Sequence, residues 1–503
     1  LKNPNKLKRC PTFWGQFTAW ECIPPAKPCY TVTIKKCVIL LNHLAFIKKP
    51  RVILMDIRSL HLQNLGRFQD LTVQFAPTQE TQGKVTVLIG NNGAGKTSIL
   101  KALATNLSWF VARMRSEKGN GTSFPEIVVS NHGSSALATI KIVDEQENSY
   151  SWSLAKTLPG KKSVFSSNLA DATRLANIYR EKLTTNDNCS LPLIAFYPVE
   201  RVVLDVPLKI RSRHSFLQLD GYDNSLTQGV DFRRFFEWFR EREDSENESG
   251  VSQEVLDQLQ ERFGQNPQLW QELKALTASS KDRQLTAVRT AISRFIPEFS
   301  NLRVRRKPRL HMSVDKSGET LNVLQLSQGE KSLMALVGDI ARRLAMMNPN
   351  LENPLAGDGI VLIDEVDLHL HPQWQRNIIQ RLTTTFPNCQ FVLTTHSPLV
   401  ISDSKGILVY SLDNGELSKL PSQYGLDANT VLLSAMDTPS RNPEVDTKFN
   451  DLLDLIQDKK LEEANQLLAE LEQELAQENS AENIELIKAR LLLRKQVLRS
   501  EKN

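Results

Sequence analysis

Regular patterning of apolar and polar positions begins at Met55-Asp56-Ile57-Arg58-Ser59-Leu60; the 54 residues before it show neither a helical nor a strand period. Three short apolar runs then stand out: Val85-Thr86-Val87-Leu88-Ile89, Gly359-Ile360-Val361-Leu362-Ile363 and Phe391-Val392-Leu393-Thr394-Thr395, the last ending in His396. Such runs, rich in β-branched residues, predict strands buried on both faces. Leu191 to Phe196 has the same character, and Leu321 to Leu324 reads as a shorter strand. Ile99-Leu100-Lys101-Ala102-Leu103 predicts a helix start, and Leu333 to Met346 predicts a second helix. Phe232, Phe235, Phe236 and Phe239 fall at i, i+3, i+4 and i+7, one helix face and most simply a core stripe. Glu241 to Glu248 reads as a solvated helix end or loop. Between Val445 and Val497 two helical stripes predict a hairpin. The first is Leu461, Ala464, Leu468, Leu471 and Leu475; the second is Ile484, Ile487, Leu491 and Val497; Asn479-Ser480 breaks them. Such a hairpin is either plain packing or a docking surface for a partner helix.

Two of the strands carry chemistry at their ends. Val85 to Ile89 runs into Gly90-Asn91-Asn92-Gly93-Ala94-Gly95-Lys96-Thr97-Ser98 and then into a helix. This is a phosphate-binding loop in the strand-to-helix setting it requires. Glycines let backbone N–H groups turn toward phosphate, and the helix N-terminus adds a favourable dipole. Lys96 is placed to reach the β- and γ-phosphates of ATP, and Thr97 to put its hydroxyl on Mg²⁺. Gly359 to Ile363 ends in Asp364-Glu365. Acids at the carboxyl end of a buried strand suit a parallel α/β sheet, where ligands bind. Asp364 is expected to hold Mg²⁺ and Glu365 to orient the attacking water, because phosphoryl transfer depends on positioning and charge stabilisation.

Composition narrows the picture. The chain has 503 residues, 40% hydrophobic and 24% charged, which is ordinary globular usage. No apolar run approaches the ~18 residues of a membrane helix. Residues 1–54 carry a net charge of +9 against +5 for the whole chain, leaving −4 for the rest. The basic character therefore belongs to the leader and does not argue for a nucleic-acid-binding body. Four of the six cysteines, Cys10, Cys22, Cys29 and Cys37, also lie there, without the spacing of a common zinc module. Only Cys189 and Cys389 remain, so a reducing cytoplasm fits. The expected organisation is a basic leader outside the fold (1–54), an ATPase lobe with the phosphate loop (55–204), a mainly helical insertion (205–315), a second ATPase lobe (316–440) and a helical tail (441–503).

Leu326-Ser327-Gln328-Gly329-Glu330-Lys331-Ser332 precedes the second predicted helix. Ser327 and Glu330 have the spacing of a capping box, and the same serine and glycine can bind phosphate. The segment resembles the signature of ABC-type ATPases in its non-transport variant. The resemblance implies an α/β P-loop NTPase with an ABC-type head, an inserted helical lobe and a C-terminal helical hairpin. It also implies that Ser327 and Gly329 cap the γ-phosphate held by another protomer, so that two sites form in a head-to-tail dimer. Asp367-Leu368-His369-Leu370-His371-Pro372 resembles the D-loop, which disfavours a His369–His371 metal pair. His396, after the third buried strand, matches the switch histidine that would contact the γ-phosphate and support Glu365. Ile57 to Phe75, with Asn64-Leu65-Gly66-Arg67-Phe68, resembles the first hairpin of SMC- and RecF-type ATPases and offers Arg67 as a nucleotide contact. One departure concerns the glutamine that ABC enzymes carry after a central strand. Here Tyr197-Pro198-Val199-Glu200-Arg201 follows, so either Glu200 substitutes or the correspondence lies elsewhere.

Some 230 residues separate the phosphate loop from the signature, and no run of heptads fills them, so a transporter subunit and a long coiled coil are both disfavoured. Arg303, Arg305, Arg306, Lys307 and Arg309 are either the exposed face of a strand or a contact for a phosphate backbone. Residues 401–503 contain no histidine and no Asp-x-Asp, so no second nuclease centre is legible there. Phe196 to Arg201, Phe235 to Glu243, the signature and Asp364 to Pro372 together resemble the stand-alone RecF/SMC-like AAA ATPases of bacteria, of the PtuA type found in Septu and retron anti-phage systems. That resemblance implies a homodimer or larger oligomer, a separately encoded HNH nuclease and contact with DNA. The alternatives are a RecF-like repair ATPase acting directly on DNA and a non-hydrolysing, ATP-gated scaffold.

Overall fold

The computed structural model describes residues 55–199, 216–227, 229–249, 281–439, 442–478 and 484–500. The leader with its four cysteines, together with Glu200 and Arg201, lies outside the described residues.

The chain enters through a hairpin, β1 (Met55–Leu65) and β2 (Phe68–Gln74), and then β3 (Val85–Ile89) leads into α1 (Lys96–Arg115). Strands β4 (Ser135–Asp144) and β5 (Ser149–Thr157) join the hairpin in an antiparallel sheet of order β2-β1-β4-β5. Helix α2 (Ala170–Thr185) leads to β6 (Leu193–Tyr197). The inserted region contributes α3 (Phe232–Ser249), α4 (Arg283–Phe295) and a small sheet of β7 (Phe299–Arg305), β8 (His311–Lys316) and β9 (Glu319–Asn322). Then follow α5 (Gln328–Met347), β10 (Gly359–Ile363), α6 (Pro372–Thr385), β11 (Cys389–Thr394), α7 (Pro398–Ser402), β12 (Leu408–Asp413), β13 (Glu416–Lys419) and α8 (Ala428–Ala435).

The central sheet has the order β13-β12-β3-β11-β10-β6. All neighbours from β12 to β6 are parallel, and β13 closes one edge antiparallel. Every residue of β3, β6, β10 and β11 is buried, as their apolar runs require. Helix α1 packs between this sheet and the antiparallel one. Its Phe110 meets Trp152 of β5 and, edge-on, Tyr179 of α2, while the Trp152 indole donates to the Asn106 carbonyl at 3.1 Å. Among the described residues no helix is long and apolar enough to cross a membrane.

The phenylalanine stripe lies on α3 and all four rings are buried. The acidic segment after it is not simply solvated. Glu243 is buried, accepts the Val304 N–H at 2.8 Å and takes Arg289 at 2.9 Å, while Glu246 takes the same guanidinium at 2.7 Å. The carboxylates face inward because Arg289 of α4 meets them across the lobe, a pairing that local composition does not encode. The basic run divides likewise. Arg303 and Arg305 belong to β7, opposite Ser313 and His311, while Arg306 pairs with Asp244. Lys307 and Arg309 are exposed beyond the strand.

The tail has one helix more than its two stripes predict: α9 (Pro443–Gln457), α10 (Leu461–Glu478) and α11 (Ile484–Ser500). They bury a core of their own around Leu452, Ala464 and Leu471. The second stripe is corrected. Leu486, Ala489 and Leu493 face inward, whereas Ile487 and Leu491 are exposed. This segment is apolar on adjacent positions, so periodicity alone cannot choose its face.

Candidate functional site

Strands β3, β10 and β11 end side by side, with β11 between the other two, so their carboxyl-terminal loops share one edge. That edge collects chemistry from distant parts of the chain. The loop after β3 exposes Asn91, Asn92 and Gly93 and turns into α1 at Gly95, while Ala94 is buried. Gly95 has φ 110°, and a Cβ there would stand 2.5 Å from the Phe68 ring, so both backbone and packing call for glycine. Helix α1 starts without a side-chain cap and without an acid in its first turn. Its N-terminal N–H groups thus remain suited to an anion.

Lys96 is buried and folds back over the loop, donating to the carbonyls of Gly90 at 2.7 Å and Asn91 at 3.1 Å. Burial pushes its amine below the ordinary lysine range, opposed by the charges of Asp364, Glu365 and Asp367. Those acids come from the neighbouring strand end. Thr97 Oγ1 donates to Asp364 Oδ2 at 2.8 Å, joining residues 267 positions apart. Thr394 Oγ1 donates to Asp364 Oδ1 at 2.6 Å and accepts the Glu365 N–H at 2.7 Å. Glu365 sits at φ 46°, a left-handed conformation that turns the chain sharply out of β10. The hairpin reaches the same place, because a Cβ built on Gly93 would lie 3.9 Å from an Arg67 guanidinium nitrogen.

Beyond β11, Thr395 donates to Asp367, Ser397 N–H donates back to Thr395 Oγ1 at 3.0 Å, and the Ser397 hydroxyl bonds Gln375 at 2.7 Å. These contacts fix the loop that presents His396, whose ring is exposed. Thr394, Thr395 and Gln375 were not singled out by the sequence reading. The two threonines stand directly before His396, and their position at a buried strand end was the available signal. His371 caps α6 through a 3.3 Å bond from the Gln373 N–H, which gives it a structural role. Ser98 lies in the first turn of α1.

Ser327 and Gly329 are placed differently. Ser327 caps α5, and Glu330 returns the bond to the Ser327 N–H at 2.9 Å while pairing with Lys316 at 2.5 Å. Among the described residues Ser327 makes no hydrogen bond to the phosphate loop of its own chain. Gly329 packs on the loop after β10, where an added Cβ would lie 2.5 Å from the His369 carbonyl oxygen. Gly329→Ala is therefore expected to lower stability by about 1–3 kcal/mol, the usual size of an overpacking defect, measured by chemical denaturation.

The family profile described as "AAA domain, putative AbiEii toxin, Type IV TA system" matches residues 85–402. The "Retron Ec83 probable ATPase" of Escherichia coli is 35% identical over 439 residues, covering 79% of each chain. A "Septu protein PtuA" of Bacillus mycoides is 40% identical over 115 residues, 22% of this chain and 16% of that one. Among solved structures, the Smc head domain of Pyrococcus furiosus aligns with 73% of this chain and 96% of its own, at a TM-score of 0.40 and 14% identity. Matched over more than half its length, the chain belongs to this AAA-domain family and is an ATPase.

Proposed function

We propose that the protein binds Mg–ATP at the edge formed by β3, β10 and β11 and hydrolyses it as a head-to-tail dimer, acting in anti-phage defence in the cytoplasm. The observation that carries this reading is the 2.8 Å bond from Thr97 to Asp364. It brings a hydroxyl and a carboxylate, both hard oxygen ligands of the kind Mg²⁺ takes, to the mouth of the phosphate loop. Thr97 and Asp364 would hold the ion, which when bound neutralises charge on the β- and γ-phosphates. Residues Gly90 to Ser98 cradle the phosphates through their N–H groups, and Lys96 leaves the loop carbonyls to meet them. Arg67 lines the entrance. Glu365, at the φ of 46° where the chain leaves β10, orients water, and His396 supports it from the end of β11.

Ser327 and Gly329 close the site of a second protomer. Their lack of any hydrogen bond to their own phosphate loop among the described residues supports this reading. Hydrolysis would then switch the dimer between two states. Similarity to the retron ATPase and to Septu PtuA supports a role beside a separately encoded nuclease of the HNH class. A second reading, direct action on DNA, draws on exposed Lys307 and Arg309.

ATP turnover of the full chain with and without duplex DNA separates the two readings. Under the first, turnover is indifferent to DNA, and Glu365→Gln lowers it by about 100-fold or more, as for a lost general base. DNA-stimulated turnover would favour the second reading. Undiminished turnover in Glu365→Gln would sink the assigned role of that carboxylate.

A further inference from the structure

Helix α5, which begins one residue after the capping Ser327, is buried on almost every side. Within it Asp339, Arg342 and Arg343 are all at most 1% exposed, an unusual set of charges for a core. Arg342 donates to one Asp339 carboxylate oxygen at 2.6 Å, and Arg343 donates to the other at 2.7 Å. The second oxygen also accepts the Tyr197 hydroxyl at 3.0 Å. Tyr197 is the last residue of β6, and its main-chain carbonyl accepts the Asp364 N–H at 2.8 Å. One residue therefore holds the acid-bearing strand end by its backbone and the signature helix by its side chain.

The contacts continue into a closed circuit. Arg343 donates to the carbonyls of Gly221 at 2.6 Å and Asp223 at 3.0 Å. The Asp223 carboxylate pairs with Arg234 of α3 and, at 2.6 Å, with Arg115. Arg115 is the last residue of α1, the helix whose second residue, Thr97, bonds Asp364. The circuit thus leaves α1 at one end and returns to it at the other. None of Tyr197, Asp339, Arg342 or Arg343 has a part in the chemistry derived above.

We propose that Tyr197 is a positioning residue that couples the state of Asp364 to the placement of α5 and its capping Ser327. The inference rests on the ATPase reading of the site. Asp339 lies 12 positions beyond Ser327, about 18 Å along a continuous helix, so a small shift at Tyr197 is carried rigidly to the cap. Packed polar circuits of this kind have discrete arrangements and do not deform smoothly. Burial, and then the neighbouring Asp339 charge, pushes the Tyr197 phenol well above its ordinary range, which keeps it a donor.

Tyr197→Phe deletes only the hydroxyl and leaves Asp339 its two arginines. For the full chain, kcat is expected to fall about 10-fold, the scale of one hydrogen bond to a charged acceptor. The dissociation constant for ATP, measured directly, is expected to stay within about 2-fold, because the phosphate loop is untouched. A lower melting temperature with wild-type kcat would overturn the coupling, and so would weaker ATP binding with unchanged kcat. If that variant does not fold, Arg343→Lys keeps a cation beside Asp339 but gives up the fork onto Gly221 and Asp223. The same split is expected, and an unchanged kcat again overturns the proposal. A wild-type chain without ATP turnover would overturn the underlying reading as well; normal wild-type turnover with an indifferent Tyr197→Phe overturns the coupling alone.

Discussion

The Lys96→Met protein is expected to lose ATP turnover by about 10²–10³-fold, the scale seen when one preorganised donor to developing charge is removed. In the absence of nucleotide, however, it is expected to unfold no earlier than the wild type. The two effects have one origin. Lys96 is held among the loop carbonyls at 2.7 and 3.1 Å with no ion pair to an acid among the described residues, and burial disfavours its charged form. A lysine whose amine is pushed down on folding makes the folded state less favourable at neutral pH than an unperturbed lysine would. That penalty eases as pH rises through the lowered value. Methionine removes the penalty and fills similar space. The amine is thus expected to act on phosphate and to contribute little to the fold. Turnover assays paired with thermal melts check both halves; a large drop in melting temperature would show that Lys96 holds the empty loop together.

The second large effect is on stability. Asp339→Ala leaves the guanidinium groups of Arg342 and Arg343 buried without their carboxylate. Breaking a buried ion pair from one side costs about 3–5 kcal/mol, because the remaining charge is desolvated and uncompensated. Urea denaturation followed by circular dichroism would measure it, and a loss below about 1 kcal/mol would mean that water or a rearranged partner reaches the arginines. The pairing also carries a pH signature. Burial opposes the Asp339 charge, but Arg343 and Arg342 outweigh it and hold the carboxyl below its usual range. Its contribution is therefore complete above the ordinary aspartate range and is lost as pH falls through the lowered value.

Local sequence made the candidate site legible. The phosphate loop, Asp364-Glu365 and His396 each follow an apolar run that could only be a buried strand, and parallel packing brings the ends of those strands together. What the sequence hid is non-local. The α5 stripe reads as apolar, and nothing in Asp339-Ile340-Ala341-Arg342-Arg343 tells that all three charges point inward, because Tyr197, which bonds Asp339, lies 142 residues away and the Gly221 and Asp223 carbonyls that take Arg343 are also remote in sequence. Glu243 was misread for the same reason, its Arg289 being on another helix. In α11 the difficulty was degeneracy. Leu491, Leu492 and Leu493 stand in succession, and only packing against α9 and α10 selects Leu493.

The parallel sheet has a consequence for inheritance. The loop ends that assemble the site are fixed by β3, β10 and β11, and the described residues between 198 and 326 contribute no strand to that sheet. A lineage can therefore vary the lobe's outer surface while retaining those loop ends, provided that the apolar faces of α3 and α4 that pack against α5 are kept. Such variants must also keep the carbonyls that Gly221 and Asp223 offer to Arg343, the Phe295 carbonyl that takes Arg381 and the Arg283 bond to the Leu351 carbonyl. Divergence is thus expected on the lobe's exposed face and not where it shares a core with α5.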